Sequence, residues 1–565
     1  MVARKPKWKS WPEVVMRILF SVCAAGMMFA ASSVAQQPVI TGLLNNYSFV
    51  QPGLPNYGIA QGSIFDIFGT NLADGYTPLQ SVPLTTTLLR VSANVMVNGV
   101  TVPLILYYVQ PGQAAAILPS RTPVGNGEIT VTNKGQTSAP FPIQVVPSAF
   151  GILTLNGAGY ATAAVFDSTS RLLDFTSAIN SGEFITIWGT GLGPVTGDEA
   201  QLQTPQDLAN IPIEVDIGGV PATVTYHGRS IYPGLDQINA IVPAGLHDCF
   251  VSLVVRTGNV VSNFASIPVA ATGRTCSDPI FGVSAAQIQT LSNIGFFVRG
   301  TIAMNKDLTT APGLTPSAPP TMTTTESASA LFIDVPGAFK FTGSLFAGLG
   351  ASLGSCAVYG INASGAILGP NFTLGTSLDA GSALNVTGPN GSALLTVPNP
   401  SIVYLYSKVF TAGFIPNTGG TFTFDHVPND PESADIKAPV GAKITIPAPL
   451  VWTNQGSITS VNRSQGATIT WSGGDPGTYV SIVGSSVANS GPSVGSYFNC
   501  SAPVSAGKFT VPATVLLSLP PSSTVSASSF LRVGNTTNAQ NFTVSGVDIG
   551  IISGGWSFTT NLTYQ

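Results

Sequence analysis

The sequence predicts an all-β, multidomain protein built from tandem β-sandwiches, and three observations carry that prediction. Only 8% of its 565 residues are charged, while 61 are glycine and 43 proline. An ordinary soluble protein is roughly one-quarter charged, so this surface must be built from Ser, Thr, Asn and Gln, which suits strands and turns better than exposed helices. Short alternating apolar runs recur between clusters of Gly, Pro and Asn, the signature of half-buried strands joined by turns. Finally, a unit of roughly 90 residues repeats itself.

The chain begins with Arg4, Lys5, Lys7, Lys9 and Arg17, then an apolar run from Ile18 to Ala31 and the small residues Ser33-Val34-Ala35. A basic stretch, a short apolar stretch and small residues before a cleavage point make a secretory signal, residues 1–35. The competing reading is a retained anchor, but the run is shorter than the ~20 residues a spanning helix needs. Later apolar runs are broken by Gly, Pro and Asn, so no transmembrane helix is expected in the mature chain. Cleavage removes five of 21 basic residues and one of 25 acidic ones, leaving 16 against 24, a net charge of −8. That balance gives no support to binding nucleic acid or anionic membrane. The expected destination is outside the cytoplasm: extracellular, periplasmic or on the cell surface.

Four of the five cysteines remain once Cys23 leaves with the signal. In an oxidising compartment an even number points to disulfides. Cys249 and Cys276 flank one predicted strand pair and are paired; Cys356 and Cys500 are left for each other. A metal site is the alternative, but no Cys-x-x-Cys spacing exists and the chain has three His. No metal and no cofactor are expected.

The repeat is read by self-comparison. Gly62-Ser-Ile-Phe-Asp-Ile-Phe-Gly-Thr-Asn-Leu72 aligns with Gly182-Glu-Phe-Ile-Thr-Ile-Trp-Gly-Thr-Gly-Leu192 at an offset of 120, and Val95–Val100 with Val215–Val220 at the same offset. Gln113–Pro119 aligns with Gln237–Pro243 at an offset of 124, so the second copy carries a four-residue insertion near His227 to Asp236. Each copy ends in strand, glycine turn and strand. Short strands with turns at regular spacing predict an immunoglobulin-like sandwich for residues 40–146 and again for 177–278. Residues 147–176 are expected to form a connecting hairpin. Beyond them, 279–447 and 448–565 are read as two further β-domains, with the Thr/Pro/Ser-rich stretch 307–327 as a long loop.

The order Gly-x-x-Ile-x-Ile-Trp-Gly-Thr-Gly-Leu, Val215-Asp-Ile-Gly-Gly-Val-Pro-Ala-Thr-Val224 and Gln237-Ile-Asn-Ala-Ile-Val-Pro-Ala-Gly-Leu246 resembles an IPT/TIG domain. The wider segment, about residues 40–278 to Arg274-Thr-Cys-Ser277, resembles an uncharacterised family of secreted bacterial proteins. The first copy departs from the pattern: Asn98-Gly-Val-Thr101 stands for the Gly-Gly-Val-Pro turn and Ala114-Ala115 for Ile-Asn. The resemblance implies binding or spacer modules rather than catalysis.

Several motifs invite a chemical reading. Gly189-Thr-Gly-Leu-Gly193 follows a strand as a phosphate loop would, but Pro194 and Thr196-Gly-Asp198 follow where a dinucleotide fold needs a helix. A strand-ending turn is the simpler reading. Gly350-Ala-Ser352-Leu-Gly354 and Gly491-Pro-Ser493-Val-Gly495 match the nucleophile-elbow string, yet no His follows Ser493, and Ser352, though ahead of Asp425 and His426, lacks the strand-turn-helix context. Asp425, Asp430, Glu432 and Asp435 lie on one segment without EF-hand spacing and read as a solvated loop. His247 and His426 read as solvent-exposed or locally bonded. Trp188, Trp452 and Trp471 fall in predicted strands and read as core.

The insertion HGRSIYPGLD is the most distinctive local feature. His227, Arg229, Tyr232 and Asp236 supply charge and an aromatic ring in a chain short of both, and loops at sandwich ends commonly carry binding. The sequence therefore predicts a non-enzymatic extracellular binding or adhesion protein, its partner an unidentified glycan or protein contacted through loops such as 227–236. A self-assembling structural exoprotein is the alternative, and a secreted hydrolase centred on Ser352 a more distant one.

Overall fold

Strands account for 51% of the described residues and helices for 4%. In the computed structural model the described residues are 36–311, 321–336, 351–362, 365–368, 375–427, 435–436, 440–488, 494–537 and 539–565. The expected signal segment lies outside them, as do Ser493, Asp430 and Glu432.

The two repeats share a common set of strands, the second copy's first sheet carrying additional short ones. In the first, one sheet runs Val39–Asn45, Ile64–Thr70, Gln113–Ile117, Ile105–Gln110, and the other runs Ile59–Ala60, Phe141–Val146, Gly125–Asn133, Val91–Val97, Val100–Pro103. In the second, Phe184–Thr190, Asp236–Ile241 and Thr223–Arg229 repeat the middle of the first sheet, and Ile179–Asn180, Ala265–Ala270, Asp248–Thr257, Ile213–Ile217, Val220–Pro221 repeat the second. Each copy closes with a short parallel pair, Ile59 beside Val145 and Ile179 beside Val269. Alternation explains the cores. Val91, Ala93, Val95 and Val97 point inward along one strand and meet Phe65 and Ile67 from the facing sheet, while Ile185, Ile187, Val215 and Ile217 do the same in the second copy.

Two glycines at the end of Phe184–Thr190 are sterically required. A side chain at Gly189 would place Cβ 2.1 Å from Phe150 Cζ, and Gly191 has φ +101° with Ala149 O 2.5 Å from where Cβ would sit. In the first copy Asn71, aligned with Gly191, also has positive φ, +56°, a region Asn enters more readily than most residues.

The segment 147–176 turns back on itself as a hairpin, with Thr154 bridged to Ala163 and Leu155 N donating to Thr162 O at 2.8 Å, and its strands Gly151–Ile152 and Val165–Asp167 also pair with Phe184–Thr190, so the hairpin is built into the second sandwich. Two expectations change here. The stretch 307–327 is not a loop throughout: Phe296–Ala311 and Thr321–Pro336 are sixteen-residue strands paired along their whole length. A division at residue 448 also fails to follow the sheet. Phe296–Ala311 pairs on its other side with Ile549–Asn561, in parallel, within one sheet that runs from Cys356–Asn362 to Ala442–Ile446. Threonine and serine, strand-compatible but weakly apolar, give little periodic signal, and pairing partners about 250 residues apart leave none.

That sheet serves two cores. One half covers Trp452, Trp471, Phe498 and Tyr564 together with a three-stranded sheet of Val451–Trp452, Ala467–Ser472 and Lys508–Val511. The other half curls around Phe332, Phe422, Phe424 and Ile444, with Trp556 Nε1 donating to Pro447 O at 2.8 Å. A helix unforeseen from composition, Ala285–Ser292, starts in a capping box: Gln287 N donates to Ser284 Oγ at 3.3 Å and Ser284 N to Gln287 Oε1 at 2.9 Å. Cys249 is bonded to Cys276, and Cys356 to Cys500, the latter two being direct register partners on neighbouring strands.

Candidate functional site

The insertion in the second repeat becomes the tip of a hairpin whose strands Thr223–Arg229 and Asp236–Ile241 bring Arg229 opposite Asp236. Both are buried, 3% and 0% exposed. Arg229 Nε donates to Asp236 Oδ1 at 2.7 Å, and Arg229 Nη2 reaches Gly62 O of the first repeat at 2.8 Å. Asp236 Oδ2 accepts the backbone amides of Gly191 and Leu192 at 2.7 and 2.8 Å. The glycine turn therefore does hold an anion, and the anion is the chain's own carboxylate. Burial pushes the Asp236 carboxyl up, against the guanidinium and the two amides that pull it down.

The rest of the tip presses on the first sandwich. Thr190 Oγ1 accepts from Ile64 N at 2.8 Å and donates to Gly234 O at 2.6 Å, and the Tyr107 hydroxyl donates to Pro233 O. Arg229 and Asp236, expected as ligand contacts, are thus structural: they lie inside the joint between the two repeats, out of a ligand's reach. His227 Nε2 is 2.9 Å from Ile211 O. Of the four, Tyr232 is the one exposed, at 51%.

A larger concavity lies between the second sandwich and the C-terminal body, a cleft of about 820 Å³, within the size range of ligand sites. One wall carries Glu214 and Asp216, two residues apart on Ile213–Ile217 and hence on the same face. Arg256 lies opposite Glu214 in the register and grips it with two nitrogens, Nε to Oε2 at 3.1 Å and Nη2 to Oε1 at 2.5 Å. Asp216 has no ion pair and no side-chain hydrogen bond among the described contacts. Burial pushes its carboxyl up, Glu214 adds to this and Arg256 opposes it. The other wall carries half-buried Phe509 and exposed Thr510 from Lys508–Val511, followed by Pro512 and the short helix Ala513–Leu517.

Most of the remaining candidates have local partners or face solvent, but both ring nitrogens of His426 are buried without a hydrogen-bond partner among the described residues, against the expectation of an exposed or locally bonded ring. Ser352 Oγ is 2.8 Å from Ser355 Oγ and buried. Asp425 Oδ1 accepts the amides of His426 and Val440. His247 is exposed. Trp452 and Trp471 are buried, Trp471 donating from Nε1 to Val504 O at 2.8 Å, and Trp188 is half-buried. Among the described residues no group of three or more His, Cys, Asp and Glu is placed to hold a metal ion, and no described helix is long and apolar enough to cross a membrane.

Sequence reasoning passed over Glu214, Asp216, Arg256 and Phe509. Their signal was weak: two acids at strand spacing, with partners brought in from 40 to 300 residues away.

No protein-family model matches the chain and no curated protein matches it. Among solved structures it is similar to the plexin A4 extracellular region at 12% identity, over 42% of this chain and 19% of that one, with a TM-score of 0.16. It is similar to SGBP-B from a complex xyloglucan utilization locus in Bacteroides uniformis at 11% identity, over 66% and 86% of the two chains, with a TM-score of 0.14. Domains 5-6 of the S-layer protein SbsC match at 15% identity, over 42% and 100%, with a TM-score of 0.15. The chain thus spans about a fifth of the plexin region.

Proposed function

We propose that the protein is a secreted, non-catalytic binding protein that holds an extracellular glycan or protein chain in the cleft between its second sandwich and the C-terminal body. The observation that carries this reading is the cleft itself, where the Glu214–Arg256 fork, the Asp216 carboxylate and the Phe509 ring converge on one space of about 820 Å³. Two disulfides support an oxidising compartment, in keeping with the basic and apolar N-terminal residues. The buried contact of Arg229 with Gly62 between the two repeats suits a scaffold that presents a surface.

Arrays of glycans and of extracellular proteins, probed with the wild type and with Phe509→Ala and Arg256→Ala, test the reading. Ligands lost on both cleft substitutions support it; ligands retained by both but lost on Tyr232→Ala would move the site to the hairpin tip. Concentration-dependent oligomers without any ligand, seen by light scattering, would favour the structural exoprotein instead.

A further inference from the structure

We infer that the occupant of this cleft is an extended peptide segment bearing a basic side chain, which adds as a strand to the open edge of Lys508–Val511 and sets its cation on Asp216. This rests on the binding reading above and narrows it to one ligand class. The first support is the edge. Lys508–Val511 pairs with Ala467–Ser472 and with no other strand among the described residues. Trp471 N donates to Gly507 O at 2.9 Å, which marks that pair as hydrogen-bonded; with the two-residue period of an antiparallel ladder, Phe509 and Val511 bond inward to Ile469 and Ala467. Lys508 and Thr510 then direct their N–H and C=O groups outward, and no described backbone group meets them. Such an edge is a ready template for an added strand.

The second support is charge. Among the described residues, Glu214, Asp216 and Arg256 are the charged side chains lining the cleft. Arg256 is committed to Glu214 by its fork and to Gly258 O at 3.0 Å, so the cleft keeps one uncompensated carboxylate, half-buried. A partly desolvated charge without a partner is unfavourable, and a ligand ammonium or guanidinium supplies the missing one. A sugar chain could use Phe509 but would leave the strand edge and Asp216 unmatched. A peptide backbone meets the alternating donors and acceptors of Thr510, and a Lys or Arg side chain meets the acid across the cleft.

The test is a library of short extended peptides with Lys, Arg, Ala or Glu at the centre, titrated against the secreted protein by fluorescence polarisation. Lys and Arg peptides should bind, Glu peptides should not, and raising salt should weaken binding. Asp216→Asn should lower affinity for the basic peptides at least about tenfold and leave the Ala peptides unchanged. Thr510→Pro removes an outward N–H without costing a ladder bond, which edge strands tolerate, and should abolish binding of both; thermal melting of each variant checks that it still folds. Basic peptides bound equally well by Asp216→Asn and Thr510→Pro would overturn the inference. So would a library without binders beside a glycan that is lost on Phe509→Ala, in which case the binding reading survives; failure of peptides and glycans alike would remove both.

Discussion

Arg229 and Asp236 face each other across a hairpin and form a buried ion pair at 2.7 Å, and through it the second repeat grips the backbone of the first at Gly62. The carboxylate is fully committed, to one guanidinium and two amides. Removing one partner of such a pair strands the other charge in a dry interior. Asp236→Ala should therefore destabilise the fold by about 3–5 kcal/mol, read as a fall in the urea midpoint. Wild-type stability in that variant would show that the glycine turn and Arg229 find other partners.

Lys306 and Glu326 form a second buried pair, at 3.0 Å on adjacent long strands. Lys306 Nζ also donates to Ile415 O at 2.7 Å and Asn417 Oδ1 at 2.9 Å, while Glu326 accepts the amides of Gly413 and Ile415. The pair thus pins the turn over the curled half of the sheet. Glu326→Ala alone should cost about 3–5 kcal/mol, whereas replacing both residues with Met and Leu should cost much less. A double-mutant cycle by denaturant unfolding measures the difference, and additive losses would argue against the pairing.

Asp66 is fully buried in the first sandwich and its carboxyl is pushed up to about 6 by burial, against hydrogen bonds from Gln113, Asn46 and Tyr108. A folded-state value above the unfolded one favours the protonated form in the fold. Its stabilising contribution is complete below about pH 4 and is lost as pH rises through 6. Asp66→Asn should flatten the pH dependence of melting between those limits by an amount on the order of 2–3 kcal/mol. Since Asp278 is shifted the same way, the quantity to compare is the difference between wild type and variant across pH 4 to 7. Identical slopes would sink the assignment.

The two disulfides close loops of unequal size, with sequence separations of 27 for Cys249–Cys276 and 144 for Cys356–Cys500. Loop-closure entropy puts their contributions at about 4 and about 5 kcal/mol. Replacing Cys356 and Cys500 with serine should lower the melting temperature more than replacing Cys249 and Cys276, as calorimetry would register.

The fate of HGRSIYPGLD shows where legibility ended. That it was an insertion, on a hairpin, with charge and an aromatic ring, could be read by aligning the repeats. That its charges turn inward could not, because burial of Arg229 and Asp236 depends on Gly62 and on the amides of Gly191 and Leu192, which come from other strands. The same holds for Asp216, whose isolation appears only once Arg256 is seen to choose Glu214.

Sequence alone determined the β character, the doubled sandwich and the glycine turns, since alternation, repetition and chain reversal are written in neighbouring residues. Tertiary structure decided the rest: that Phe296–Ala311 and Ile549–Asn561 share one sheet, that the most conspicuous charged loop is a joint, and that an acid and an open strand edge meet across a cleft. Those relations arise from contacts between segments far apart in the chain, where geometry and desolvation choose the partner and local pattern carries no trace of the choice.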